Sequence, residues 1–472
     1  MSDAAVRTLP AESRAAPSEG DRYLALLGVV LLGYALIGKG FAYLGVPPFY
    51  LGEIALAAGL VIFLRIGAFA GVMATLPALL LVVLMVWVLA RTIPFVGEYG
   101  FDSLRDSVVV IYGCFAFFVI ALLLQDARRI ATLLRYYGVM LMSLPVMLAT
   151  FLLTKYWGDS VPRLFGPVPI IEVSGSTVGS HLAGAIIFVL VGFRKVSPLW
   201  ILVWLLTLAS VSATGRGPML AVVVPVTVAM LLLGRFRLML STVLTAVVLF
   251  GTLLAFESTF GEYQEATESI ERPVSAHQIV ENAKSVIGQS GQQTEGTKVW
   301  RLNWWDIIIN DTIHGPHFWT GRGFGINLAL ADGFAGTDYL LQGRPVTRSP
   351  HSVHMTMLAR AGVPGLVLWV LVLVSWFAMM AKSFMVAKLR GEQQWSGLFL
   401  FIGCYVTAIL INASFDVALE GPIQGIWFWC LFGFGIGSAM IFRVQRSHAF
   451  DGAMQTVGRL TRGAEQGHAH HA

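Results

Sequence analysis

The sequence predicts an all-α integral membrane protein of about twelve transmembrane helices, with one large, partly helical loop domain on the outer face. Three observations lead there. Hydrophobic residues make up 56% of the 472 and charged residues only 12%, where soluble chains carry about 25% charged residues. Mean hydropathy is +0.73, and apolar runs of near-bilayer length recur along nearly the whole chain. Basic residues mark alternate turns in a constant phase. The net charge of +5 therefore reads as membrane anchoring rather than nucleic-acid binding.

Residues 1–22 are polar and carry Arg7, Arg14 and Arg22, which predicts a disordered cytoplasmic tail. They do not resemble a cleavable signal peptide. Nine spans are expected within 23–256, near 23–38, 49–64, 71–90, 107–124, 132–153, 180–193, 198–213, 217–234 and 238–256. Three more are expected within 353–442, near 353–381, 396–412 and 424–442. With the N-terminus inside, the inner turns hold Arg65, then Arg128 with Arg129, Arg194 with Lys195, and Arg235 with Arg237. The series continues through Lys382, Lys388 and Arg390 to Arg443 and Arg446. Short outer turns carry single cations such as Lys39 and Arg216. An even number of spans keeps both termini in the cytoplasm, the second as a tail over 443–472 that includes His468, His470 and His471.

The segment 257–352 breaks this rhythm. A polar stretch of that length is functional or folded more often than structureless. Glu262 to Glu271 reads as an acidic amphipathic helix. Trp300, Trp304, Ile307 and Ile308 fall at helical spacing, and Gly321, Gly323, Gly325 and Pro345 mark loops. No repeat of the two-halves kind found in secondary transporters is visible. Cys114, Cys404 and Cys430 lie inside apolar runs and read as buried small residues.

Ionisable residues near membrane depth are the candidates for chemistry. Arg216 sits in a tight Thr214–Pro218 break, where flanking glycines allow close backbone approach; a snorkelling interfacial arginine is the simpler alternative. Arg301 lies one turn from Trp305 among tryptophans, either stacking on indole or serving as a structural cation in an aromatic belt. Arg344, Arg348, His351 and His354 lead into the tenth span, where a helix start favours an anion. His351 reads as an acid–base group or a phosphate donor; a His pair alone makes a poor zinc site, so no metal is expected. The Gly321–Gly325 run, with Arg322, looks like a phosphate loop but lacks the strand–loop–helix context. Glu53, Asp416 and Glu420 read as partners for arginine or as an activating base, the last two sharing a face if their segment is helical. Arg105, Asp106 and Arg163 add charge on the same side. A cluster of arginines at an outer membrane face suits a diphosphate, and with no nucleotide there a polyprenyl diphosphate lipid becomes the natural ligand.

The order of motifs resembles the O-antigen ligase and O-antigen polymerase superfamily, which includes exopolysaccharide polymerases. The resemblance rests on Thr214-Gly-Arg216-Gly, Trp300-Arg301-Leu, Thr320-Gly-Arg-Gly-Phe-Gly325, Ser349-Pro-His351, Ala361-Gly-Val-Pro-Gly365 and Asn412 to Gly421, over roughly residues 180–440. Tyr99 to Tyr112 is a weaker upstream match. It implies a fold like the large membrane glycosyltransferases of the GT-C type and a transferase that needs no cofactor, metal or nucleotide. The active site would face the periplasm from the bacterial inner membrane. Arg216 and Arg301 would hold undecaprenyl diphosphate, and His351 would take the acceptor hydroxyl's proton or orient the donor. Arg348 and Arg322 are added from position, with His354, Arg344, Asp416, Glu420 and Arg105 as supporting residues. Where the family often has Asn after that histidine, this chain has Ser352. A ligase passing the glycan to lipid A–core and a polymerase joining lipid-linked repeats share this donor chemistry, and a flippase of lipid-linked sugar is the rival from another class.

Overall fold

A computed structural model of the chain describes residues 17–260, 278–280, 282, 292–335 and 348–444. The expected acidic helix at 262–271, Arg344, and most of both tails lie outside them. Its main helices are α1 (Glu19–Leu36), α2 (Leu51–Ile66), α3 (Leu76–Thr92), α4 (Phe101–Ile111) and α5 (Cys114–Gln125). They continue as α6 (Arg129–Met142), α7 (Leu144–Trp157), α8 (Gly175–Leu190), α9 (Pro198–Thr214) and α10 (Arg216–Leu232). The rest are α11 (Phe236–Phe260), α12 (Gln292–Thr312), α13 (Val353–Leu389), α14 (Gln393–Ala413) and α15 (Pro422–Val444). Two short antiparallel hairpins, Gly45–Val46 with Phe49–Tyr50 and Arg163–Phe165 with Val168–Pro169, tighten turns between helices.

Every expected span coincides with one helix or one bent pair, yet the expected count of twelve is not reached. Among the described residues, four helices are long and apolar enough to cross a membrane unaided: Leu76–Tyr99, Val353–Leu389, Gln393–Ala413 and Pro422–Val444. The count rises to six if α4 with α5, bent by 41°, and α6 with the α7 region, bent by 51°, each make one span. Local chemistry explains the shortfall. Pro145 in the first turn of α7 carries no N–H and interrupts the second pair. Gly215, extended at φ 170°, separates α9 from α10, which are 17 residues each, the lower limit for a bilayer crossing. The chain is a multi-pass membrane protein in which short and broken helices lie beside full-length ones.

The bundle is built around α14 and α15. In α15, 94% of the apolar window is buried inside the protein, against 22% for Leu76–Tyr99, so α15 is central and α3 faces outward. Apolar side chains cannot sort helices inside lipid, which is as apolar as they are, so close approach through small residues and dispersion decides the packing. Gly433 of α15 is such a contact: a Cβ there would lie 2.4 Å from the Ala116 carbonyl oxygen of α5. Several indole N–H groups buried between helices find a carbonyl, as Trp429 does at Val109 and Trp427 at Leu31.

The 37-residue α13 is broken near its start. Gly362 leaves the helical region at φ 72°, ψ −175°, and Pro364 follows within it. Pro364 has no N–H for the Arg360 carbonyl, so that oxygen accepts from Gly323 N at 3.0 Å instead. Val363 N donates to Phe318 O (2.8 Å), which releases the Ala359 carbonyl to accept from Arg322 N (2.8 Å). The Ala361 carbonyl accepts from Trp87 Nε1 of α3 at 2.9 Å. The glycine run thus spends its amides on the broken helix rather than on a phosphate. Gly321 and Gly323 stand at φ 61° and 86°, and a Cβ on Gly321 would meet the Arg360 carbonyl carbon at 2.4 Å. We expect Gly321→Ala to destabilise the protein by about 2 kcal/mol. Gly403→Ala in α14, where a Cβ meets nothing within 4 Å, should be neutral or raise stability by up to about 1 kcal/mol. Thermal unfolding in detergent compares them; equal melting temperatures would count against the splice.

Candidate functional site

A cavity of about 560 Å3 opens at the α9–α10 junction, and it gathers side chains from six parts of the chain. Gly175 and Ser176 come from the start of α8, Thr214 to Pro218 from the α9–α10 junction, and Lys298, Arg301 and Trp305 from α12. His351 enters from the loop before α13, Asn412 from the end of α14, and Phe415 and Asp416 from the turn that follows. Two helix N-termini, those of α8 and α10, meet here, and their amide ends add positive potential to three cationic side chains. Of the residues expected to carry chemistry, Arg216, Arg301, His351 and Asp416 are brought together.

His351 is held in an uncommon shape, with φ 53°, a left-handed backbone at a residue other than glycine. Its neighbours enforce this. Trp305 Nε1 donates to the Pro350 carbonyl at 2.9 Å, and the Trp300 ring lies edge-on to the imidazole at 6.0 Å between centroids. His351 Nδ1 is 3.6 Å from Asp416 Oδ1, and Ser176 Oγ donates to the other Asp416 oxygen at 2.5 Å. Burial works to raise the Asp416 carboxyl, but His351, the Ser176 hydroxyl and the Val417 amide together hold it below the usual carboxylate range. An ionised Asp416 therefore faces His351 Nδ1, which favours a proton on that nitrogen.

The other expected residues serve a neighbouring network. Arg348 pairs with Asp102 and Asp106, both at 3.2 Å, and donates to the Gly325 carbonyl at 2.7 Å. Arg360, 1% exposed, reaches the same Asp106 at 3.0 Å, and Arg105 pairs with Asp102 at 3.2 Å and Asp106 at 3.6 Å. Arg322 is clamped between Asp311 (2.6 Å) and Asp332 (2.5 Å), and Trp304 Nε1 binds the second Asp332 oxygen. Arg348 and Arg322, expected to hold diphosphate, are ion-paired outside the cavity lining, because carboxylates of α4, α12 and the loop reach them first. His354 turns inward: Trp369 Nε1 donates to its Nδ1 at 3.2 Å, which makes Nδ1 an acceptor and puts the proton on Nε2, facing Ser414 Oγ at 3.1 Å. The turn over 414–421 is not helical, so Asp416 and Glu420 do not share a face. Glu420 accepts from Thr356 at 2.7 Å; burial pushes its carboxyl up against that bond and the Arg360 charge. Glu53 is taken by the Tyr112 hydroxyl at 2.7 Å.

Residues 201–370 match the family model described as O-antigen ligase. No curated protein matches the chain. The O-antigen ligase segment contains Arg216, Lys298, Arg301 and His351 but not Ser176, Asn412 or Asp416, so the cavity is completed by helices on both sides of it.

Sequence reasoning missed Lys298, Ser176 and Asn282, and named Asn412 only as the start of the Asn412–Gly421 motif, with no role at the site. Lys298 was legible in principle, three residues before Arg301 and so on the same helix face. Ser176 carries no local signal, since it meets the cavity only through helix packing. Asn282 donates from its side-chain amide to the Ser212 and Ala213 carbonyls at 2.9 and 3.1 Å, closing the end of α9 beside Arg216.

Two outcomes follow. Asp106→Asn removes the charge facing Arg348 and the buried Arg360 and should cost about 3 kcal/mol, lowering the melting temperature although Asp106 does not line the cavity. Because Asp416 is held below its unfolded pKa, its contribution is full above that value and lost as pH falls through the folded one. Stability should therefore decline on the acid side below about pH 4, and Asp416→Asn should flatten that limb in a pH series of unfolding curves.

Proposed function

We propose that this protein is a membrane glycosyltransferase of the O-antigen ligase type, moving a glycan from undecaprenyl diphosphate to an acceptor hydroxyl of lipid A–core. The observation that carries the reading is the grouping of Arg216, Lys298 and Arg301 with the His351–Asp416 pair around one cavity. The reaction sits on the periplasmic side of the bacterial inner membrane, with both termini in the cytoplasm and no need for metal or nucleotide. The loop region 257–352 works there as a periplasmic domain between two sets of spans.

In this mechanism the acceptor oxygen attacks the anomeric carbon as its bond to the diphosphate oxygen breaks. His351 Nε2 takes the hydroxyl proton, and Asp416 stabilises the imidazolium that forms, through Nδ1. Arg216, Lys298 and Arg301 offset the charge that grows on the leaving diphosphate, the two guanidinium groups in bidentate fashion. In-line attack inverts the anomeric configuration.

A polymerase that joins lipid-linked repeats needs the same donor chemistry and is the second reading. A flippase of lipid-linked sugar is the third, disfavoured by the large outer segment, the lack of a two-halves repeat and the ordered series of motifs.

His351→Ala and Arg216→Ala should each abolish complementation of surface glycan, with normal membrane levels of the protein and lipid-linked glycan left unconsumed. Lys298→Gln should lower output at least tenfold. Long unattached chains would identify a ligase, and accumulated single repeats a polymerase. Unchanged glycan in both alanine variants sinks the transferase reading.

A further inference from the structure

At the end of α13 away from His351, a second cavity of about 390 Å3 is framed by Lys382, Ser383, Val386 and Arg390 with Phe442 and Arg443 of α15. Lys382 lies 31 positions after His351, most of them along α13, so the two cavities sit toward opposite ends of that element. Three cations surround a space for one small group. Among the described residues no carboxylate lies within ion-pair distance of any of them. The neighbouring Lys388 is used differently, donating to the Leu232 carbonyl at the end of α10 at 2.7 Å.

The site is partly set in advance. The Arg390 guanidinium lies over the Phe442 ring at 5.8 Å. That ring is itself fixed against Trp395 and Phe399, with centroids at 5.3 and 5.4 Å. A cation held on a packed ring loses less freedom when an anion arrives. Met385, Leu389 and Val444, next in sequence to lining residues, are exposed, Leu389 by 83% and Val444 by 84%. Cations beside exposed apolar side chains at the end of a long apolar helix match a phosphate with hydrocarbon attached to it, since a free ion gains nothing from apolar surface.

We propose that this cavity binds the phosphate-bearing headgroup of an anionic phospholipid, with its acyl chains against the exposed apolar residues of α13 and α15. The site is independent of the transferase reading. The test is native mass spectrometry of the purified full chain after exchange into equal amounts of phosphatidylglycerol and phosphatidylcholine. The wild type should retain phosphatidylglycerol at least tenfold over phosphatidylcholine, and the triple variant K382Q/R390Q/R443Q should lose that preference. R235Q/R237Q, which removes two exposed cations outside the cavity, should keep it. Three results overturn the proposal: no preference in the wild type, an equal loss in both variants, or displacement of the lipid by inorganic phosphate at the same concentration. The last would assign the site to a free anion. The wild-type measurement decides even if the triple variant does not fold.

Discussion

A helix that breaks within a membrane protein releases carbonyl groups that lipid cannot satisfy, and each needs a donor from the protein. In this chain the break at Gly362–Pro364 finds donors in Arg322 N, Gly323 N and the Trp87 indole. That exchange ties three separate parts together: the glycine run, the outer-facing α3 and the start of α13. The same α3 also receives the loop through Arg91, whose Nε donates to the Thr320 carbonyl at 2.7 Å. His351 lies eleven residues before Gly362 and takes its position from this anchorage. A shift in the glycine run would move the α13 start, and with it the imidazole.

The charges divide by what surrounds them. Asp102, Asp106, Asp311 and Asp332 hold Arg105, Arg348, Arg360 and Arg322 in a rigid scaffold. Removing one member of such a network leaves a buried charge uncompensated, which is why it constrains geometry even where its net contribution to stability is small. The cavity next to it draws its cations from α10 and α12 and, among the described lining residues, an ionised carboxylate from the turn after α14.

Fold class was legible because it rests on composition and on apolar run length, which neighbours cannot change. Each expected span has its helix, since twenty apolar residues have few other ways to satisfy their backbone in lipid. Their independence as spans was not legible: Pro145 marks where the helix can break between Met142 and Leu144, and only the structure shows the 51° bend there. At the site, the signals at Arg216, Arg301 and His351 were readable because breaks, tryptophans and a helix start mark them locally. Arg348 and Arg322 carried the same signals and are paired elsewhere, since a sequence does not say which carboxylate reaches an arginine first.

By itself, then, the sequence determined a helical membrane protein, the order of its apolar helices and the short stretches that hold Arg216, Arg301 and His351, because hydrophobicity and local backbone preference act over a few turns. Tertiary structure decided which of those residues meet. Ser176 and Asp416 are 240 positions apart, and their 2.5 Å hydrogen bond exists only because α8 and the end of α14 pack together. The same packing turned a run of glycines that looks like a phosphate loop into the socket of a broken helix, where its amides are consumed by backbone carbonyls. Long-range contacts of this kind are set by the shape of the whole bundle, and no local window of residues contains that information.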